Sequence, residues 1–180
     1  LYTSEEIKNS IDKYNKKNIK YLTKETFVKD KTAFIGCCGW WDYNNLDADE
    51  IKRSLSYFDE WIKKIDRQGS LDFINNVSKK AKAQTNMLIR RLESLEEGDT
   101  IEEIVIVTHC VPLPQFTDEG RLGTEHNNGF QKILNRNFKK LKKWIFGHTH
   151  QHFDEKINGV HFIANARGRP EDFDRVNYSI

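Results

Sequence analysis

No apolar run in this 180-residue chain approaches the roughly 18 residues that a membrane span requires. No basic-then-apolar leader precedes the first candidate helix. Cysteine is scarce: there are three, an odd number, and two are adjacent at Cys37 and Cys38, where a mutual bridge would be strained. A disulfide framework is therefore not expected, and a reducing cytoplasm is the expected setting. Repeats and low-complexity linkers are also missing. The net charge of +2 is too small to imply a nucleic-acid partner by itself. What remains is 37% hydrophobic and 31% charged residues, which describes one soluble globular domain, residues 1–180, able to bury a real core.

Periodicity predicts a layered α/β domain. Thr3 with Glu6 makes a capping-box pattern ahead of a helix over 4–18, whose Ile7, Ile11 and Tyr14 share a face. Short strands are predicted at 19–22, 25–29 and 33–36. Asp47 with Glu50 caps a second helix, with Ile51, Leu55, Phe58, Ile62 and Ile65 as its stripe and a break at Gly69. A third helix runs from Ser70 to Gly98. The β-branched run Ile104 to Val107 reads as a strand covered on both faces. Pro112 to Gly129 reads as a long loop near the site. Phe130, Ile133, Leu134, Phe138 and Leu141 recur at helical spacing, which puts Lys139, Lys140, Lys142 and Lys143 on a solvated face. Residues 153–157 and 160–164 flank Asn158-Gly159 and predict a hairpin, and a closing strand is expected near 175–180.

Two strands end on histidine. The apolar Trp144-Ile145-Phe146 runs into Gly147, where the backbone is expected to bend, and then into His148-Thr149-His150. The run ending at Val107 leads to Thr108-His109-Cys110. Strand ends are where sites assemble in open α/β sheets, so His109, His148 and His150 can converge although about forty residues separate them. Imidazole is the commonest metal ligand, and the three are the metal candidates. Taken alone, a histidine after a strand, as at His109, is more often a cap or core residue than a ligand. Cys110 is expected to face away from the ligands as a small buried hydrophobe. His126, in the long loop, is a candidate to reach a substrate phosphate or leaving group. His152 is expected at the hairpin entrance, orienting a ligand or simply exposed, and His161 is expected to be structural.

The wording of these segments resembles the calcineurin-like metallophosphoesterases. Val107-Thr108-His109-Cys110-Val111-Pro112 is similar to that family's strand-end segment with a lone metal-binding histidine, and Gly147-His148-Thr149-His150 to its closing Gly-His-x-His. Ile163 to Pro170 resembles the Asn-Pro-Arg-Gly-x-Pro turn of one bacterial and phage branch, with Ala166 where proline is usual, and Ile35 to Tyr43 resembles the same branch's Gly-x-x-Gly-Trp-x-Asp-Tyr. The resemblance implies a four-layer αββα sandwich and hydrolysis of a phosphate mono- or diester at two divalent ions. It also implies a hydroxide held between those ions as nucleophile. Manganese, iron, zinc and nickel all suit such donors. Carried over residue by residue, His109 and His148 bind one metal and His150 the other. Arg167 contacts phosphate or organises the site, a structural ion pair being the alternative.

Three earlier family motifs, Asp-x-His, Gly-Asp-x-x-Asp and Gly-Asn-His-Asp or Glu, do not occur. The expectation is a C-terminal portion, incomplete at its N-terminus and inactive alone, with the catalytic residues upstream of Leu1. Two other classes stay open. One is a non-catalytic metal-binding or interaction module. The other is a metallo-β-lactamase-like hydrolase, which would need an Asp-His ligand set that the chain does not supply. Whether the ester is a phosphoprotein, a nucleotide or a nucleic acid is not encoded in these motifs.

Overall fold

A computed structural model describes Asn9 and residues 20–57, 67–117 and 121–166. Apart from Asn9, the expected opening helix lies outside them, as do the closing strand, Arg167, and the part of the second helix beyond Tyr57.

Six strands among the described residues form one sheet: β1 Phe27–Lys29, β2 Thr32–Cys37, β3 Glu103–Thr108, β4 Leu141–Ile145, β5 His152–Ile157 and β6 Val160–Asn165, in the order β1-β2-β3-β4-β6-β5. The four inner strands are parallel, and each edge carries an antiparallel strand. Parallel neighbours must be joined by crossovers. Between β2 and β3 this is supplied by helices α1 (Ala48–Tyr57) and α2 (Arg67–Glu97).

The strand pleat sorts the side chains into two rows. Ile35, Ile106, Trp144 and Phe162 are paired across four strands and are all buried. They pack with Leu88 and Leu92 of α2 and with Phe116, Phe130 and Ile133, which forms the main core. In the opposite row Gly36 is buried, Val107 and Ile163 are half-buried, and Ile145 is 37% exposed.

Several elements match the sequence reading. The β3 strand and the hairpin do, the latter turning on left-handed Asn158 (φ 50) and Gly159 (φ 82). Asp47 caps α1 by accepting from the backbone of Asp49 and Glu50, both at 3.0 Å.

Other expectations are corrected. The described part of the expected strand 19–22 enters a turn instead. Its carbonyls find Arg91 on α2 in place of a strand partner, at 2.7 Å for Leu22 and 3.0 Å for Thr23. Gly69 lies inside α2, which already begins at Arg67; a single glycine costs a helix only about 1 kcal/mol, which a helix of this length absorbs. The helix that starts at Gln131 stops at Leu134, with Asn137 left-handed (φ 50) just beyond it. Leu141 then reaches the same core from strand β4, so its helical spacing was accidental. Lys142 and Lys143 are exposed as expected, but on a strand. The segment after Pro112 is not an open loop: Phe116 is buried against Phe146 and Phe153, with ring centroids 5.1 and 4.8 Å apart.

No helix among the described residues is long and apolar enough to cross a membrane. All three cysteines are free thiols.

Candidate metal centre

The ends of β3 and β4 lie side by side and bring two of the predicted histidines into contact. His148 Nδ1 and His109 Nε2 are 2.9 Å apart, and the rings meet nearly edge to face. At that distance one nitrogen donates its proton to the other. The backbone fixes the pair: the amides of His109 and Cys110 both donate to the Cys38 carbonyl at 3.0 Å, and Gly147 donates to the His109 carbonyl at 3.1 Å. Beneath them, the Thr108 hydroxyl donates to the Cys110 carbonyl at 2.8 Å and accepts the Trp144 indole N–H at 2.9 Å, so the two strand ends are tied through buried side chains.

The bend after β4 is not where the sequence put it. A Cβ at Gly147 would meet His109 Nδ1 at 3.6 Å, an ordinary contact, and the left-handed residues are the histidines themselves, His148 at φ 70 and His150 at φ 58. Thr149 N donates to Gly147 O at 2.9 Å, which closes a three-residue γ-turn around His148. Such backbone costs about 1–3 kcal/mol per residue and persists where surrounding structure enforces it, often at functional sites.

Partial burial lowers the His109 pKa, and the neighbouring charge of His150 lowers it further. Both effects favour the neutral imidazole that a metal requires. Two ring nitrogens 2.9 Å apart could occupy adjacent positions on one cation at bond lengths of roughly 2.0–2.1 Å, once the rings turn their lone pairs from each other to the ion. The site is nevertheless partial. Among the described residues, no three His, Cys, Asp or Glu side chains are grouped closely enough to hold a metal ion. Three neutral imidazoles would also leave the cation charge uncompensated, so this half-site fits a metal only with carboxylates from elsewhere.

His126 is engaged elsewhere. His126 is 2% exposed, and its Nδ1 is 3.0 Å from the Val111 carbonyl. It therefore fastens the loop and is not open to a substrate. The sequence could not reveal this, because the signal is a backbone bridge between Val111 and His126. Arg167 lies outside the described residues. Cys110 is fully buried, as expected. His152 Nε2 is 3.0 Å from the Ala166 carbonyl, and His161 Nε2 is 2.5 Å from Asp154 Oδ1, so these side chains are engaged away from the pair.

Trp41 is a neighbour that sequence reasoning passed over: its ring lies 5.7 Å from that of His148. It leads into a left-handed turn, Tyr43–Leu46, in which all four residues have φ between 52 and 63. Left-handed backbone costs about 1–2 kcal/mol per L-residue. Asn128 offsets part of this by donating to Asp42 Oδ1 at 3.0 Å and Asn44 Oδ1 at 3.1 Å.

Burial of His126 sets a pH dependence. Desolvation lowers its pKa below 6.5, outweighing the Val111 hydrogen bond and the Asp42 charge, which act the other way. The folded state therefore binds this proton less readily than the unfolded chain. Its stabilising contribution is complete above 6.5 and is lost as pH falls through the window from 6.5 down to the folded-state pKa. The urea midpoint is expected to drop between about pH 7 and about pH 5, and His126→Gln is expected to flatten that drop. An unchanged slope in the variant would show that other groups set it.

No family model matches the chain. It is 25% identical over 174 residues to the uncharacterized protein L509 of Acanthamoeba polyphaga mimivirus, covering 89% of this chain and 58% of that protein. Its fold is similar to the crystal structure of the phosphopantetheinyl hydrolase PptH from Mycobacterium tuberculosis. The TM-score is 0.60 at 13% identity, over 97% of this chain and 64% of that one. The chain thus spans about three fifths of the length of each of these relatives.

Proposed function

We propose that these residues form part of a metal-dependent phosphoesterase of the calcineurin-like type, hydrolysing phosphate mono- or diesters. The observation that carries the reading is the contact of His109 and His148, 2.9 Å apart at the ends of adjacent parallel strands. His109 and His148 would hold one divalent ion and His150 would serve a second, with bridging carboxylates supplied from outside the 180 residues. Metals of this kind polarise a phosphoryl oxygen and supply a nucleophile at neutral pH when bound. This chain's residues favour a neutral His109 and aim the pair: the Cys38 carbonyl holds the His109 backbone, Trp41 flanks His148, and partial burial of His109 disfavours its protonation.

Two further observations support the reading. The apolar side chains of Val107, Ile145 and Ile163, half-buried or exposed on the other face, suit a second sheet packed face to face, as in a four-layer αββα sandwich. The hydrolase PptH shares the fold and extends well beyond the region matched here. Three free thiols suit a reducing, cytoplasmic setting.

The rival reading, a non-catalytic metal-binding module, is favoured by the missing third ligand among the described residues. The upstream reading frame separates the two. We expect Asp-x-His, Gly-Asp-x-x-Asp and Gly-Asn-His-Asp or Glu there, no turnover of p-nitrophenyl phosphate by the 180-residue chain with manganese, and turnover once the upstream segment is added. Robust manganese-dependent turnover by the 180 residues alone would overturn the need for outside carboxylates. A start codon with none of the three motifs would favour the module.

A further inference from the structure

Cys38 and Cys110 stand on neighbouring strand ends, Cys38 just beyond β2 and Cys110 just beyond β3. The Cys110 amide donates to the Cys38 carbonyl at 3.0 Å, which holds the two chains at strand spacing. Hydrogen-bonded strands lie about 4.8 Å apart, inside the roughly 4.4–6.8 Å that a disulfide spans between Cα atoms. The side chains meet as well, for the Cys110 thiol donates to the Cys38 sulfur. Their surroundings differ. Cys38 is half-buried, whereas Cys110 is fully buried in the smaller apolar cluster with Trp41, Tyr43, Ile74 and Val77. Cys37 faces elsewhere: it is in register with Thr108 and belongs to the main core, and successive residues of a strand point opposite ways.

We infer that Cys38 and Cys110 are a reversible redox pair, which a hydroperoxide converts to an intramolecular disulfide and a dithiol reductant restores. An exposed thiol beside a second, resolving thiol is the arrangement of redox-sensing cysteines. Cys38, the accessible member, reacts first. Its sulfur attacks the peroxide, an S–O bond forms as the O–O bond breaks, and a sulfenic acid and one water result. The Cys110 sulfur then attacks Cys38, an S–S bond replaces the S–O bond, and the departing hydroxide takes up the Cys110 proton as a second water. Two electrons pass from the thiols to the peroxide. The Cys38 carbonyl also holds the His109 amide, so the new bond ties the joint that carries the histidine pair. The inference does not depend on the phosphoesterase reading.

Hydrogen peroxide added to the metal-free 180-residue chain, in chelator, tests it, with the remaining thiols alkylated in denaturant and the peptides mapped by mass spectrometry. Before alkylation the product should be lighter than the parent by two hydrogen atoms. Cys38 should be linked to Cys110 and Cys37 alkylated, and dithiothreitol should restore the parent mass. Cys37→Ala should form the same link. Cys110→Ser should lose it and accumulate a Cys38 sulfenic acid that dimedone captures. The inference is overturned if Cys38 of the parent advances unlinked to sulfinic acid, if the link involves Cys37 or joins two chains, or if peroxide leaves all three thiols free.

Discussion

In a protein that supplies the proposed bridging carboxylates, alanine in place of His148 is expected to lower the affinity for zinc or manganese by about 100-fold or more. Loss of a hydrogen-bonded partner behind a metal ligand already costs 10–100-fold, and loss of the ligand should exceed that. The effect on folding should be small and separable, because His148 sits at φ 70 and alanine inherits that left-handed backbone. His148→Gly removes the ligand and the strain together, so it should be more stable than His148→Ala by about 1 kcal/mol while binding metal equally poorly. Calorimetric metal titration beside urea unfolding of both variants checks the two halves. Metal affinity within twofold of the parent would remove His148 from the ligand set.

Trp144→Ala is expected to be the most destabilising single change in the sheet, at about 3–5 kcal/mol. The indole is fully buried between Phe130 and Phe162, at centroid distances of 5.0 and 6.2 Å. Its N–H also holds the Thr108 hydroxyl, one residue before His109. Truncation therefore opens a cavity and loosens the end of β3 together. Trp144→Phe keeps most of the ring and loses the hydrogen bond, which should cost about 1–2 kcal/mol. Guanidinium unfolding of the two variants measures both, and a cost below about 1 kcal/mol for the alanine variant would mean that the core closes over the gap.

Strand and turn signals of short range were legible in the sequence: the β-branched run of β3, the Asn158-Gly159 turn and the Asp47 cap each depend on a few adjacent residues. The histidine pair was legible because both members follow an apolar strand, and parallel strands bring their ends to one edge. What could not be read depended on distant partners. Arg91 takes the carbonyls of a segment that otherwise looks like a strand, and a backbone bridge to Val111 buries a loop histidine. Helical spacing across Phe130 to Leu141 misled because a short helix and the following strand feed the same core. The left-handed turn at Tyr43–Leu46 gave only the hint of its two asparagines, since L-residues rarely adopt that conformation in succession.

The strand order also sets a sequence of events during folding. Strands β5 and β6 meet across a two-residue turn, whereas Thr32 of β2 must find Glu103 of β3, 71 positions away by their numbers (103 − 32). Hairpins close within microseconds, and long parallel crossovers close later because loop entropy must be lost first. The two imidazoles just beyond β3 and β4 therefore come together as a late event, after the chain has largely chosen its topology. A cation captured by them would act as a latch on the finished molecule, slowing its escape from the native state more than speeding its arrival.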